Sequence, residues 1–157
     1  MPLTRRESLR LLCATATLAP WVAWAEDKPA RRSPKKGWAG NRPESAKQFG
    51  CSWWYAWGCP GKGTEGYEFV PMVKGNRQPV GPAELGQLSD SSAKHLLGFN
   101  EPERSSQGNL SVAQAIEAWP VLVRFAEEKK LRLGSPCVSS DGGGGAWMRE
   151  FMEQAQR

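Results

Sequence analysis

From residue 49 onward, the sequence alternates short apolar runs with segments of helical periodicity. Each run spans only a few residues, which is typical of strands buried on both faces of a parallel sheet. Repeated units of this kind predict an α/β fold built around parallel strands. The four predicted strands are Cys51–Trp57, Glu68–Val73, His95–Asn100 and Leu131–Ser135.

The clearest helical pattern runs from about Ser111 to Lys129, where apolar residues recur at i, i+3, i+4 and i+7. Ser111 and Gln114 match a capping box at its start. Pro120 predicts a kink, because proline lacks the backbone donor and crowds the preceding turn. The helix therefore supplies one of the crossovers that a parallel sheet needs.

Four strands with crossovers correspond to about the first half of a (β/α)8 TIM barrel, which needs about 250 residues when complete. A smaller open sheet is the alternative. We assign residues 48–157 to the partial barrel and residues 26–47, rich in Pro, Lys, Arg and Ser, to a basic linker.

The first 25 residues resemble a twin-arginine signal peptide. Thr4–Arg10 contains the paired arginines, Leu11–Ala23 is apolar but too short for a permanent membrane anchor, and Ala23–Ala25 gives a small-x-small cleavage pattern. We therefore expect passage through the twin-arginine translocon and a periplasmic or secreted protein that starts near Glu26.

The first 48 residues hold 10 basic and 4 acidic side chains, a charge of +6, whereas residues 49–157 hold 11 basic and 12 acidic side chains, which gives the net charge of +5. A nucleic-acid-binding domain carries its basic excess on the folded face that meets phosphate. The near-neutral folded part therefore excludes a nucleic-acid partner.

Export would place the mature cysteines in an oxidising compartment. Cys51 and Cys59 are close enough in sequence to form a disulfide, whereas Cys137 has no evident partner. His95 is the single histidine and there is no Cys-x-x-Cys spacing, so we expect no metal site. No phosphate-loop lysine follows the glycine run at 142–145, and we expect no cofactor.

The hexapeptide Gly98–Glu103 carries the strongest chemical signal. Pro102 cannot continue a sheet ladder, so Glu101 is predicted at the C-terminal tip of its strand, where parallel barrels build their active sites. A carboxyl group set among Trp and Phe would lose hydration and hold a proton for a leaving group. Asn100 is placed to bind a sugar hydroxyl. The alternative is a solvated turn residue or a helix cap.

The chain resembles the clan of retaining glycosidases whose barrels carry an Asn-Glu pair, and within it glycoside hydrolase family 128, the endo-β-1,3-glucanase group. The similarity covers most of residues 50–157 and consists of ordered blocks: Ser52–Trp57, Glu68–Met72, Leu97–Pro102, Ala115–Trp119, Arg132–Pro136, and Trp147 with Phe151 and Met152.

The resemblance implies retaining hydrolysis of a β-glucan, with Glu101 as general acid/base and Asn100 beside it. It also implies that Trp53, Tyr55 and Trp147 face the glucan, because sugar rings stack on aromatic planes. Strand alternation assigns Trp54 and Trp57 to the core. For each aromatic residue, core and substrate-binding roles remain alternatives.

Retention requires a second carboxylate about 5 Å from the first. In this family it comes from a late strand, and the chain ends before such a strand. Glu68 lies at the entrance of its strand, while Glu103 and Asp141 lie in loops without the nucleophile's motif. A non-catalytic β-glucan-binding protein and an inactive truncated product, prone to aggregate through its open strand edge, remain alternatives.

The strand count is a further departure. The related clan carries its acid/base on the fourth strand, whereas Glu101 follows the third predicted strand of this sequence. Either one strand escapes the sequence pattern or the family's count differs.

Overall fold

The computed structural model describes residues 32–90 and 92–156, which hold five short strands and four helices. The predicted signal peptide lies outside the described residues. The strands are β1 (Gly37–Ala39), β2 (Trp53–Tyr55), β3 (Glu68–Phe69), β4 (His95–Leu96) and β5 (Arg132–Leu133). The helices are α1 (Pro43–Gln48), α2 (Pro82–Leu85), α3 (Val112–Lys129) and α4 (Gly144–Ala155).

All the strand pairs are parallel, as the sequence predicts. One sheet has the order β1-β2-β3 and the other pairs β4 with β5. A parallel bridge between Met72 and Leu97 joins them, and the Leu97 amide donates to the Pro71 carbonyl at 2.8 Å. The strands therefore follow one another in chain order, as in part of a barrel, and the described residues form no closed barrel.

The first strand, β1, lies inside the segment that we predict as a linker. Trp38 of β1 is in register with Trp54 of β2, and Trp38 also stacks on Phe49 at 5.3 Å between ring centroids. Helix α1 follows and buries Ala46. The linker prediction for residues 26–47 is therefore wrong over residues 37–47. A three-residue Gly-Trp-Ala strand among basic residues is too short to show the alternation of inward and outward side chains that identifies a strand in a sequence.

The missed strand also explains the strand count. When β1 is included in the count along the chain, Glu101 follows the fourth strand rather than the third. The position therefore agrees with the count that the resemblance implies.

Helix α3 forms as predicted. The Gln114 amide donates to Ser111 Oγ at 3.2 Å, and the Ser111 amide donates to Gln114 Oε1 at 2.9 Å, which completes the capping box. Pro120 lies inside the helix, and Lys130 ends it in the left-handed conformation. The helix packs against α4 and β5.

Two clusters of buried apolar residues stabilise the packing of the strands against the helices. The larger lies between β4 and helices α2, α3 and α4, and the smaller lies between β2, β3 and α1. The members of the smaller cluster are Ala46, Cys51, Trp54 and Phe69, with Trp38, Ala56 and Tyr67 at the edge.

None of the helices in the described residues is long and apolar enough to cross a membrane.

The predicted disulfide between Cys51 and Cys59 is not formed. Both residues are buried as free thiols, Cys51 in the smaller cluster and Cys59 in the larger one. Cys59 Sγ lies 3.4 Å from the Met72 carbonyl, to which it donates. The two cysteines are close in sequence, but β2 lies between them and the chain carries each thiol into a different cluster.

Candidate functional site

Asn100 and Glu101 lie just beyond the end of β4, where two neighbouring segments hold the backbone. The Asn100 amide donates to the Lys74 carbonyl at 3.2 Å, and the Glu101 amide donates to the Cys137 carbonyl at 2.7 Å. Glu101 has a φ of 41°, which is uncommon for a residue other than glycine. Strained backbone of this kind concentrates at functional sites, where the surrounding structure maintains it.

The side chain of Glu101 remains about one-third exposed, at 33%. Its Oε2 atom lies 3.7 Å from Nε of Arg104, one turn further along the chain. The sequence predicts an apolar surrounding for this carboxyl group, and that prediction needs correction, because an arginine faces it. The turn after Pro102 brings Arg104, three residues further along the chain, back to Glu101.

Arg104 also contacts Asp141, through a short hydrogen bond from Nη2 to Oδ2. The hydrogen bond and the charge of Asp141 raise the pKa of Arg104. Hydrogen bonding with Ser139, followed by that with Arg104, lowers the pKa of Asp141. The Arg104 guanidinium therefore bridges the loop after β4 and the loop after β5.

Glu103 connects the same two loops. Its Oε1 atom accepts hydrogen bonds from both the amide, at 2.8 Å, and the hydroxyl of Ser139. Burial raises the pKa of Glu103, but the hydrogen bonds from Ser139 outweigh it and leave the pKa below its usual value. The two loops border a cavity of about 380 Å³, lined by Glu103, Arg104, Ser139, Asp141, Gly142 and Gly143.

The Asn100 side chain is almost fully buried, and its Nδ2 donates to Gln107 Oε1 at 3.3 Å. Gln107 lies in the turn that follows Glu101. Gln107 thus fixes the orientation of the Asn100 side-chain amide, one residue before Glu101.

Three aromatic side chains form a continuous row along β2 and beyond its end. Trp53 stacks on Tyr55 with 6.3 Å between centroids, and Tyr55 meets Trp57 edge-on at 5.4 Å. Trp54 points the other way and packs on Phe69, as predicted for a core residue. Trp57 was predicted in the core, but it is 41% exposed, because a φ of 52° turns the chain after the strand.

Tyr55 connects this aromatic row to the end of β4. Burial raises the pKa of Tyr55, and the nearby Cys137 thiol raises it further. Cys137 in turn pairs with Asn100 in a parallel bridge. Tyr55 is therefore linked through Cys137 to the Asn100–Glu101 segment, whereas Trp53, in register with Glu68, lines a cavity with Glu68 and His95 at the opposite end of the strands.

Trp147 is a core residue and not part of this surface. It is 8% exposed, stacks on Phe151 at 5.3 Å with an interplanar angle of 9°, and donates from Nε1 to the Leu110 carbonyl. The predicted glucan contact is therefore wrong for Trp147. The helical period of α4 places it on the face that packs against α3.

His95 and Glu68 lie at the opposite end of the strands. His95 Nδ1 is 2.9 Å from Glu68 Oε1, and the same oxygen accepts the His95 amide at 3.0 Å. The carboxylate fixes the starts of β3 and β4 to each other. This geometry agrees with the placement of Glu68 at the entrance of its strand and with a structural role for His95.

Sequence reasoning missed three residues of the site: Arg104, Gln107 and Ser139. The Glu101-Pro102-x-Arg104 spacing was the available signal for Arg104, because a turn after proline brings a residue three positions on back toward the first. The sequence carried no signal for Ser139, since its partner Glu103 is 36 residues away. Among residues 32–90 and 92–156, no group of three or more potential metal ligands occurs.

A family model described as the glycosyl hydrolase catalytic core matches residues 28–157. The chain belongs to this family. The resemblance to glycoside hydrolases, which rests on the ordered sequence blocks, is therefore confirmed at the level of family membership. No curated protein matches this chain.

Several solved structures resemble this chain. A subgroup I endo-β-1,3-glucanase of glycoside hydrolase family 128 from Amycolatopsis mediterranei, with laminaritriose and laminaribiose, has 32% identity over 79% of this chain and 52% of its own, with a TM-score of 0.63. A subgroup III curdlan-specific exo-β-1,3-glucanase from Blastomyces gilchristii has 32% identity over 79% of this chain and 57% of its own, with a TM-score of 0.63.

A subgroup II endo-β-1,3-glucanase from Sorangium cellulosum has 30% identity over 68% of this chain and 48% of its own, with a TM-score of 0.57. These enzymes are of the TIM-barrel type, so the fold class predicted from the strand–helix alternation is supported. The chain spans about half the length of the structures that it matches.

Proposed function

We propose that the protein hydrolyses β-1,3-glucan with Glu101 as general acid/base. The observation that carries the proposal is the position of Glu101: a strained residue in the segment that follows the fourth parallel strand, directly after Asn100, which pairs with Cys137 in a parallel bridge. Active sites of parallel barrels lie at this edge. Family membership and the β-1,3-glucanase structures support the same class of reaction.

In the proposed reaction, the protonated Glu101 gives its proton to the glycosidic oxygen as the bond to the sugar breaks. The resulting carboxylate then takes a proton from water when the glycosyl group is released. Arg104 orients the carboxylate from one side, and its bond to Asp141 disperses part of its positive charge. Asn100, fixed by Gln107, orients a sugar hydroxyl.

The retaining mechanism also needs a nucleophilic carboxylate about 5 Å from the acid/base. Glu103 and Asp141 lie at the right end of the strands but are engaged by Ser139 and Arg104. The Amycolatopsis mediterranei enzyme was crystallised with oligosaccharides after substitution of either of two glutamates. We assign Glu101 to one member of such a pair.

The aromatic row supplies a surface for the glucan. Trp53 and Tyr55 are half-buried and stacked, and Trp57 extends the row into solvent. Aromatic planes bind the C–H faces of sugar rings, and a row of three suits an extended chain. We therefore propose a substrate contact for Tyr55, whereas Trp53 lies beside Glu68 and His95 at the other end of the strands, so the contact predicted for it is not supported.

Export through the twin-arginine translocon to the periplasm or the medium fits a glucan substrate outside the cytoplasm. The support is the arginine pair, the apolar stretch and the cleavage pattern in residues 4–25. Mass spectrometry of the secreted or periplasmic protein should find a mature N-terminus at Glu26. A Met1 N-terminus on that protein would contradict the proposal.

A glucan-binding protein without catalysis is the second candidate. It is favoured by the engagement of Glu103 and Asp141 in contacts between loops, together with the intact aromatic row. Binding of laminari-oligosaccharides with no release of reducing ends would distinguish it from the enzyme.

The decisive experiment measures reducing ends released from laminarin by the protein made from its natural reading frame. We expect turnover by the wild type and its loss in Glu101→Gln, because the amide cannot exchange the proton. Glu117→Gln, an exposed position on α3, is the matched control and should retain full activity. Turnover that survives Glu101→Gln would overturn the assignment.

A further inference from the structure

Glu84 is a buried carboxyl group that the proposed reaction does not use. It lies in the short helix α2 and is only 4% exposed. The amide of Gly75 donates to both of its oxygens, at 3.0 Å to Oε1 and 3.2 Å to Oε2. The carboxyl group therefore holds the loop that follows β3.

The surroundings of Glu84 make an ionised carboxylate costly. Burial raises its pKa, and the backbone hydrogen bonds of Gly75 and Lys74 and the charge of Arg77 only partly oppose this effect. The neighbouring Cys59 is affected as well: burial, and then Glu84, raise its pKa to about 12. A buried carboxylate destabilises the fold unless hydrogen bonds or opposite charges offset its loss of hydration. The groups that bind the Glu84 carboxyl group therefore indicate its role.

The peptide that Glu84 holds is packed directly against the end of β4. Gly75 has a φ of 99°, and a Cβ at this position would lie 2.8 Å from Leu110 Cδ1 and 3.3 Å from Phe99 Cδ1. A side chain does not fit there without displacing its neighbours, so the backbone itself contacts Phe99. Phe99 is fully buried and immediately precedes Asn100.

The next residue back along the loop reaches the site itself. The Lys74 carbonyl accepts the Asn100 amide at 3.2 Å, and the Asn100 carbonyl accepts the Gly108 amide at 3.0 Å. The Glu84 carboxyl group, the Lys74–Gly75 peptide and the Asn100 backbone thus form one connected chain of hydrogen bonds. A shift of the loop would move Asn100 and, with it, Glu101.

We propose that Glu84 is a positioning residue, which fixes the Lys74–Gly75 peptide and thereby the Asn100–Glu101 pair in the geometry that hydrolysis requires. The inference rests on the proposed function. It adds a residue of helix α2 that acts through the loop after the third strand rather than by direct contact with substrate. Displacements of about 1 Å at a reacting group cost as much as about a hundredfold in rate.

The test compares Glu84→Gln with Glu84→Asp. Glutamine keeps the side-chain length and an acceptor for the Gly75 amide, whereas aspartate keeps the carboxyl group but is one methylene shorter. Glu127→Asp, at an exposed position on α3, is the matched control. Two readouts are compared: hydrogen exchange of the Gly75 and Asn100 amides by NMR, and kcat and KM on laminarin.

We expect Glu84→Gln and the control to behave like the wild type. In Glu84→Asp, the Gly75 and Asn100 amides should exchange about tenfold faster, and kcat should fall by about tenfold with KM within about twofold. A residue that serves stability alone would lower Tm and leave kcat of the folded enzyme unchanged, and that result would overturn the proposal.

Two further outcomes also decide the matter. Rapid exchange of the Gly75 or Asn100 amide in the wild type would contradict the proposal without any variant, even if Glu84→Asp failed to fold. A wild type with no turnover would contradict the proposed function instead, and the exchange measurements would still test the role of Glu84.

Discussion

The Glu101 amide donates a 2.7 Å hydrogen bond to the Cys137 carbonyl, so the backbone at the end of β4 is held by the segment after β5. Glu103 strengthens the same link through both hydrogen-bond donors of Ser139. Consequently, the geometry of Glu101 depends on a loop that lies 36 residues further along the chain.

The contact between Glu103 and Ser139 predicts a pH-dependent contribution to stability. Burial raises the pKa of Glu103, but the Ser139 hydrogen bonds bring it below the usual glutamate value. A carboxyl group with a lowered folded-state pKa contributes stability above its unfolded pKa and loses it as the pH falls through the folded pKa. Urea midpoints of Ser139→Ala should therefore be lower than those of the wild type near neutral pH, and the difference should shrink in acid.

Ser140→Ala is the matched control for this series, because Ser140 is exposed and adjacent. Its midpoints should follow those of the wild type throughout. A Ser139→Ala difference that stays constant between about pH 3 and pH 7 would contradict the role of the ionised Glu103.

Trp147 should be required for stability. Its indole is buried against Phe151 and its Nε1 donates to the Leu110 carbonyl. Trp147→Ala should lower the free energy of unfolding by about 3–5 kcal/mol, because it removes a large core side chain and leaves a cavity. Equilibrium urea unfolding measures the effect, and a loss under about 1 kcal/mol would indicate a surface residue instead.

Trp57 should show the opposite behaviour. The side chain is exposed and touches Tyr55 at the end of the aromatic row. Trp57→Ala should change the free energy of unfolding by under about 1 kcal/mol, but weaken the binding of laminari-oligosaccharides, measured by calorimetry. Met152→Ala, also exposed but on α4, is the control and should leave binding unchanged.

Local patterns in the sequence were sufficient for much of the fold. The capping box of Ser111 and Gln114, together with the helical spacing of the apolar residues that follow, predicted α3. The predicted start is within one residue of the observed one. The four apolar runs predicted parallel strands in the correct order. Pro102 predicted that Glu101 follows its strand; this strand, β4, ends at Leu96, and isolated parallel bridges at Leu97 and Asn100 continue toward Glu101. Each of these signals depends on residues that are neighbours in the chain.

The parts that could not be predicted depend on contacts between distant residues. Strand β1 is recognisable only through its pairing with β2, since Gly37–Ala39 has no period of its own. Whether an aromatic residue is buried depends on what packs over it: Trp147 is covered by α3, whereas Trp57 is turned outward by its backbone. Arg104, in contrast, is only three residues from Glu101, and the turn after Pro102 was the local signal for the contact that replaces the expected apolar surrounding.

The three cysteines of the described residues should differ sharply in reactivity. Cys137 is exposed, whereas Cys51 and Cys59 are buried free thiols, and burial together with Glu84 raises the pKa of Cys59 to about 12. Because the thiolate is the nucleophile, iodoacetamide near pH 8 should modify Cys137 at least about a hundredfold faster than Cys59. Peptide mapping by mass spectrometry measures each site separately.

In urea the modification rates of the three cysteines should converge, because unfolding removes the burial. A Cys51–Cys59 disulfide in the native protein would protect both residues in urea as well, so their modification on unfolding without a reductant decides between the free thiols of the structure and the disulfide that the sequence suggested.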